Sequence, residues 1–230
     1  MISFNILFWD NGDSERIENV NYVFNSFKNQ INDKYILNLF DFSEKIVIKN
    51  SIHIPYPKDY FLKSKKINDV LKFNKQLNCD FICLIDSDIF LLDEDFDVLI
   101  ENLKKLRKDE FYVSDCYDLY NKEYVLNGLF NEKKDFISKR SDTTLGGFFI
   151  VPYNVINEIG GFDERFIVWG GEDDDMNNRL VKYGLIRKKL TLNTYHLPHR
   201  KLDISKTING DEYKNQVNIL CNDKTIIRNI

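Results

Sequence analysis

The clearest strand pattern in the sequence is Phe81-Ile82-Cys83-Leu84-Ile85, which leads directly into Asp86-Ser87-Asp88. Its five apolar residues have the length of a strand and no polar alternation, which is typical of a central parallel strand covered on both faces. Asp86 and Asp88 follow at the carboxyl end of this strand, the edge at which open α/β sheets bind ligands. In extended backbone, carboxylates two residues apart project to the same side. They indicate either a metal site or an ordinary polar turn.

The chain before this strand alternates between strand and helix patterns. Residues 4–9 are an apolar run of strand length that stops at the turn and capping residues 10–14. Apolar residues at three- and four-residue steps from Ile17 to Phe27 predict a helix with one buried stripe. Residues 35–40 predict a second strand, which completes a parallel crossover unit. We therefore predict an α/β fold with a mixed, mostly parallel central sheet flanked by helices.

The remaining elements are less regular. A helix is predicted from Phe61 to Phe73, with Lys63, Lys65 and Lys66 in its first turns. Cations at a helix start oppose the helix dipole, so these lysines either extend into solvent or face an anion. We predict further strands at residues 46–48, 111–113, 148–151 and 186–192, and a long loop at 115–142.

Composition excludes several classes of protein. The 230 residues carry a net charge of −4, so there is no basic excess to bind nucleic acid. No apolar run is long enough to span a bilayer. The four scattered cysteines fit reduced core thiols better than disulfides or a zinc site. We expect a cytoplasmic protein whose only route to a membrane is peripheral association through a partner.

The length fits one domain rather than two. We expect a single domain over residues 1–230, with a nucleotide-binding half at about 1–90 and an acceptor and catalytic half at about 91–202. Residues 203–230 form a C-terminal tail.

A second unusual stretch is Trp169-Gly170-Gly171-Glu172-Asp173-Asp174-Asp175, which begins a predicted helix. A helix N-terminus favours one or two acids, but four adjacent carboxylates repel one another. Projection at 100° per residue places Glu172 and Asp173 on the inward face and Asp174 on the opposite face. Asp175 lies four residues before Arg179, where a solvated ion pair is expected. The helix start therefore presents two carboxylates to a cleft.

Two of the three histidines, His196 and His199, stand three apart around Pro198. Imidazoles with this spacing can share a metal ion if the loop turns correctly. A surface loop is the alternative interpretation from these residues alone.

The order of these motifs resembles the metal-dependent glycosyltransferases of the GT-A fold. Asp-x-Asp is followed by two Gly-Gly-Phe sequences, then by Trp-Gly-Gly-Glu-Asp-Asp-Asp and His-x-x-His. The sequence resembles in particular the galactosyltransferases that make lactosamine and bacterial relatives proposed for capsule synthesis. It covers residues 61–200 and is strongest over 144–184. The resemblance implies transfer of a hexose or N-acetylhexosamine from a UDP-sugar to a saccharide or glycoconjugate acceptor, with inversion at the anomeric carbon.

The resemblance also implies roles for individual residues. Asp88, His196 and His199 would be metal ligands, and mixed carboxylate and imidazole ligands suit Mn2+, with Mg2+ as the alternative ion. Asp173 would be the catalytic base, with Glu172 beside it raising its pKa. The residues implied in nucleotide-sugar binding are Asp86, Lys63, Gly147, Trp169 and Thr144, together with Asp10 and Asp41 as positional candidates at the ends of the first two strands.

Two departures from the family pattern bear on the donor. Phe8-Trp9-Asp10-Asn11 lacks the Pro and Arg residues of the family's first strand. Thr144 stands where the galactosyltransferases have a bulky aromatic residue next to the donor sugar's 2-position. Because threonine leaves more room, we predict that an N-acetylhexosamine donor is accepted as well as, or instead of, galactose.

Three other functions fit parts of the sequence. A retaining transferase would keep the fold, since the polypeptide N-acetylgalactosaminyltransferases share a Trp-Gly-Gly-Glu stretch. A non-catalytic, metal-dependent carbohydrate-binding module would keep the pocket without using its base. A phosphoesterase fits least, because the acids and histidines are too few for a two-metal site.

Overall fold

A computed structural model of the chain describes residues 1–10, 13–31, 34–57, 62–119, 136–140, 147–167 and 170–199. Within these residues nine strands form one sheet. The strands are β1 (Ile2–Phe8), β2 (Ile36–Asp41), β3 (Ile52–His53), β4 (Phe81–Asp86), β5 (Ile89–Phe90), β6 (Glu110–Leu119), β7 (Phe136–Lys139), β8 (Phe148–Pro152) and β9 (Ile186–His196). Their order is β3-β2-β1-β4-β8-β6-β9-β5, and β7 pairs with β6.

The sheet is mixed, as predicted. β1 to β4 are parallel neighbours, β6 and β9 run parallel to each other, and β8 separates the two groups as an antiparallel strand. Strands from both predicted halves of the chain therefore share one sheet. The predicted tail at 203–230 lies outside the described residues.

Five α-helices cover the sheet in the described residues: α1 (Ser14–Gln30), α2 (Lys63–Asn74), α3 (Asp93–Leu103), α4 (Tyr153–Glu158) and α5 (Glu172–Tyr183). A short 3₁₀ turn, Lys75–Leu77, follows α2. Asp13 caps α1 by accepting a hydrogen bond from the amide of Glu15. Among the residues that the structure describes, no helix has both the length and the apolar character of a membrane span.

The core consists of two apolar clusters, one on each face of the sheet. α1 and α3 pack on one face through Val23, Phe27 and Phe96, and α2, α4 and α5 pack on the other. Alternate residues of β4 enter the two clusters, with Cys83 on the first face and Leu84 on the second. The prediction that this apolar strand is covered on both faces is confirmed.

Three predictions of secondary structure are wrong. The short strand lies at Ile52–His53 rather than at 46–48. The predicted loop at 115–142 contains the second half of β6 and all of β7 among its described residues. β9 runs on to His196 instead of ending near residue 192, because its last residues pair with β5 and β6.

The turn after α4 is held to α2 by a buried asparagine, which gives a test of stability. Asn68 donates its amide to the Phe162 carbonyl and accepts from the Phe162 amide. Gly161 has φ +65°, and a Cβ there would lie 2.4 Å from the Asn68 side-chain oxygen. Gly161→Ala is therefore expected to cost about 2–4 kcal/mol, from left-handed backbone strain and a displaced buried amide. The loss should lower Tm by roughly 5–15 °C in thermal unfolding.

Gly184→Ala is the matched control for this test. Gly184 also has positive φ, at +112°, but a Cβ there meets nothing within 4 Å. Backbone strain alone, with no side chain displaced, should lower the free energy of unfolding by about 1–2 kcal/mol. Equal losses in the two variants would contradict a role for the Asn68 contact.

Candidate active site

Asp88, His196 and His199 form a group whose ligand atoms all lie within 4.8 Å of one another. His199 Nε2 is 3.1 Å from one Asp88 carboxylate oxygen, and His196 Nε2 is 3.7 Å from the other. Asp88 is buried, and both histidine side chains are largely buried, so the group is shielded from bulk water. Burial opposes ionisation of Asp88, but the two imidazoles hold its pKa well below the usual value. The three residues predicted as metal ligands are brought together.

Strand pairing places these side chains. β5 follows Asp88 directly, and its Ile89 is the antiparallel partner of His196. The Leu197 amide donates a 2.8 Å hydrogen bond to the Asp88 carbonyl, which fastens the His-x-x-His segment to the Asp88 turn. Asn19 of α1 donates to the Pro198 carbonyl. The predicted turn of this segment therefore brings His199 back over Asp88.

The group fits a divalent transition-metal ion. One carboxylate and two imidazoles are ligands that Mn2+ accepts, and each offers one ligand atom to the group. A buried carboxylate near two imidazoles also supplies the negative charge that a cation requires. Asp86, in contrast, is not a member of this group. The polar turn at Ser87-Asp88 separates the two carboxylates that extended backbone would have kept together.

Asp86 belongs instead to a second cluster, in which Lys63 lies among three carboxylates. Its ammonium is 3.1 Å from Asp86, 3.5 Å from Glu172 and 3.8 Å from Asp173. Burial opposes the charge on Lys63, but the three carboxylates raise its pKa well above the usual value. Lys63, which begins α2, therefore faces anionic groups: Asp86 at the end of β4 and two carboxylates at the start of α5.

The acidic helix start divides as the helical projection predicts. Glu172 is buried and its carboxylate accepts from the Gly170 amide, Asp173 is partly buried, and Asp174 is exposed. Asp175 does pair with Arg179, at 2.9 Å, but both side chains are buried rather than solvated. Arg179 also donates to the Ile159 carbonyl, so the pair ties α5 to the turn after α4. The predicted ion pair is right in its partners and wrong in its exposure.

Asp173 has the electrostatics of a general base. Burial raises its pKa to about 7; Lys63 opposes this shift, while Glu172, Asp86 and Asp174 add to it by like-charge repulsion. A carboxylate with a pKa near neutrality can accept a proton readily and is still about half ionised at pH 7. Its side chain is 25% exposed, so a second molecule can reach it.

A pocket lies beside Lys63, Asp86 and Asp173 of this cluster. Its lining consists of Leu7, Lys63, Ile67, Leu84, Asp86, Gly147, Phe149 and Asp173. Gly147 lies against Asp86: a Cβ on Gly147 would be 2.8 Å from the Asp86 carboxylate, and the φ of Gly147 is +74°. Its carbonyl also accepts from the Asp86 amide. Gly147 therefore holds the backbone of Asp86. A larger residue at position 147 would displace the Asp86 side chain, which explains the glycine.

The remaining predicted nucleotide-sugar residues have different outcomes. Asp41 is fully buried, and its carboxylate accepts from the amides of Ser43, Val47 and Ile48. These bonds organise the turn after β2, and a nucleotide contact of Asp41 stays a prediction. Asp10 is partly exposed and stays a prediction. Thr144 and Trp169 lie outside the described residues.

Two features near the site were not predicted. Asp118, at the end of β6, lies 2.9 Å from the Nδ1 atom of His196. Arg16 of α1 lies 3.0 Å from the Nδ1 atom of His199. Both contacts join residues more than 75 positions apart, and no local sequence signal marks them.

Lys66 has an environment unlike that of Lys63. Its ammonium lies 3.9 Å from the centre of the Trp9 ring, and the side chain is buried. Burial, together with repulsion from Arg16, lowers the pKa of Lys66 to about 6. Lys66 therefore follows neither alternative predicted for these lysines: it neither extends into solvent nor faces an anion, but packs on aromatic rings.

Part of the chain matches a known protein family. Residues 130–200 match the family model described as the N-terminal domain of galactosyltransferase. No curated protein sequence matches the chain.

Solved structures are similar over most of the chain. The catalytic domain of Drosophila β1,4-galactosyltransferase 7 with xylobiose is 16% identical, with a TM-score of 0.62 over 100% of this chain and 83% of its own. A mutant of that enzyme with manganese, UDP-Gal and xylobiose gives a TM-score of 0.60 at 16% identity, covering 92% of this chain and 77% of its own.

A third structure, GalNAc-T7 with UDP, GalNAc and Mn2+, gives 0.59 at 12% identity. The alignment covers 87% of this chain and 44% of that one.

Proposed function

The chain has the GT-A fold of glycosyltransferases, and from this premise we propose that it transfers a hexose or N-acetylhexosamine from a UDP-sugar to a saccharide hydroxyl. The observation that carries the proposal is the pairing of two sites at the carboxyl ends of the strands. Asp88, His196 and His199 can hold a divalent cation, and Asp173 stands in the neighbouring pocket with a pKa of about 7. Metal-assisted transfer of a sugar to an alcohol with inversion needs a cation that stabilises the leaving group and a base that accepts the alcohol's proton.

The two sites would share one donor. A divalent cation held by Asp88, His196 and His199 would act as a Lewis acid, stabilising the charge on the departing diphosphate. Asp86 lies two residues before Asp88 and lines the pocket beside Lys63, so the donor sugar would lie over these side chains. Galactosyltransferase and N-acetylgalactosaminyltransferase structures with Mn2+ support this assignment.

Asp173 would act on the acceptor. As the acceptor oxygen bonds to the anomeric carbon, its proton passes to the Asp173 carboxylate. The bond between the anomeric carbon and the diphosphate oxygen breaks with its electron pair on UDP, and the configuration inverts. Lys63, which also contacts Glu172, holds Asp173 at the pocket wall during this step. The acceptor would be a sugar of a surface polysaccharide or glycoconjugate.

The pKa of Asp173 predicts the pH dependence of transfer. The base must be ionised, so kcat/KM should rise about tenfold per pH unit below pH 7 and level off above it. Glu172, Asp86 and Lys63 face the carboxylate, and Lys63 lowers its pKa. Lys63→Gln should therefore move the midpoint upward. The check is initial rates between pH 5.5 and 8.5, and a profile that is flat or falls through pH 7 would contradict the assignment of the base.

The proposed function is tested by incubating the protein with a panel of UDP-sugars and saccharide acceptors, with and without Mn2+. We expect acceptor-dependent release of UDP only with Mn2+. The donors should include UDP-N-acetylgalactosamine and UDP-N-acetylglucosamine, since Thr144 predicts room at the 2-position. Turnover of UDP-galactose alone would overturn the donor prediction, and no release with any donor would favour the binding-module alternative.

The anomeric configuration of the product tests the mechanism. NMR of the initial product should give a β-linkage from an α-configured UDP-sugar. An α-linked product would overturn the inverting mechanism and replace it with the retaining alternative.

A further inference from the structure

Asp118 lies next to the metal group without belonging to it. Its carboxylate oxygen Oδ1 is 2.9 Å from His196 Nδ1, and the parallel register of β6 and β9 places Asp118 directly opposite His196. We propose that Asp118 is a positioning residue that fixes the His196 ring for metal binding. The inference rests on the metal site of the proposed function.

The chemistry of the contact sets the orientation of the ring. An ionised carboxylate only accepts hydrogen bonds, so the Nδ1 atom that it contacts carries the hydrogen. In the neutral ring that binds a metal, the lone pair is then on Nε2, the atom that faces Asp88. Carboxylate–histidine contacts of this kind set the tautomer and ring direction of metal-binding histidines.

Arg140 holds Asp118 in turn. Its Nε and Nη2 atoms donate to the same carboxylate oxygen at 3.0 and 2.7 Å, and its backbone amide donates to the Cys116 carbonyl on β6. The guanidinium also offsets the charge of Asp118, so the pair adds little net charge near the metal group. The contribution of Asp118 to metal binding is therefore orientation of His196, rather than attraction of a cation.

Mn2+ affinity, measured by isothermal titration calorimetry without any donor, tests the inference. Asp118→Ala should weaken Mn2+ binding by about 10–100-fold. Asp118→Asn keeps an oxygen that can accept from Nδ1, so it should lose less. Asp115→Ala is the matched control, since Asp115 lies on the same strand and pairs with Lys139 and Lys189. It removes the same charge and should change the affinity less than twofold.

A double-mutant cycle separates orientation from charge. In a His196→Ala background, Asp118→Ala should cause no further loss of Mn2+ affinity. The same loss in both backgrounds would mean that Asp118 acts on the ion directly, and would overturn the inference. Histidine ¹⁵N chemical shifts should also identify the Nδ1–H tautomer of His196 in the wild type and its loss in Asp118→Ala.

The failures of the two proposals are distinguishable. Wild-type protein that binds no Mn2+ would overturn the metal site and this inference together. Wild-type binding with unchanged affinity in Asp118→Ala would overturn only the role of Asp118. Apo protein melts should agree between wild type and Asp118→Asn, which excludes misfolding as the cause of weaker binding.

Discussion

Asp173→Asn is expected to abolish sugar transfer and to leave donor affinity nearly unchanged. Asparagine has the same shape but cannot take the acceptor's proton, and a general base typically contributes 10²–10⁴-fold to the rate. We therefore expect kcat to fall by about three orders of magnitude. Lys63 keeps its contacts with Asp86 and Glu172, so the pocket should keep its form. The measurements are kcat with a saturating acceptor and UDP affinity by calorimetry in the presence of Mn2+.

Asp174→Asn is the matched control, because Asp174 is the next residue on α5 and is exposed. It removes the same charge from the same helix start and should keep kcat within about twofold of the wild type. A large loss of UDP binding in Asp173→Asn would instead make Asp173 a structural partner of Lys63. Retained transfer in that variant would remove it from the chemistry.

The layered α/β fold could be predicted because its signals are local. The apolar period of α1 and the uninterrupted apolar run of β4 each depend on neighbouring residues, and both buried faces of the sheet follow from them. The division of the acidic helix start could also be predicted, since the angle between helical residues is fixed. Glu172, Asp173 and Asp174 lie where that angle places them.

Long-range pairing could not be predicted in the same way. The second half of β6 carries Asp115 and Asp118, which do not resemble a strand interior. Their charges are tolerated because Lys139, Lys189 and Arg140 meet them from neighbouring segments. The contact of Asp118 with His196 depends on the register of β6 and β9, which residues 115–119 alone do not specify.

The burial of certain polar side chains could not be predicted from the sequence either. Asp41 stands at a strand end, where a nucleotide contact is expected, yet the turn after β2 uses its carboxylate for three backbone amides. Asp175 and Arg179 have the spacing of a surface pair, but the turn after α4 covers them. In both cases the deciding partner is a backbone group, amides for Asp41 and a carbonyl for Arg179, and backbone groups carry no sequence signal.

Asp88→Ala is expected to abolish Mn2+ binding and Mn2+-dependent transfer. Asp88 provides the only carboxylate of the metal group in the described part of the chain, and each of its oxygens faces one histidine. Without it, only two imidazoles would remain, and the guanidinium of Arg16 beside His199 would repel a cation. We expect Mn2+ affinity to fall at least 100-fold, as measured by calorimetry and by the electron paramagnetic resonance signal of free Mn2+.

Asp97→Ala controls for the loss of one negative charge, because Asp97 is exposed on α3. Its Mn2+ affinity and transfer rate should match those of the wild type. Wild-type protein treated with EDTA should behave like Asp88→Ala and recover when Mn2+ is restored, whereas Asp88→Ala should not recover. Transfer by Asp88→Ala that still increases with Mn2+ would place the ion elsewhere, on the donor diphosphate alone, and would leave His196 and His199 without a role as ligands.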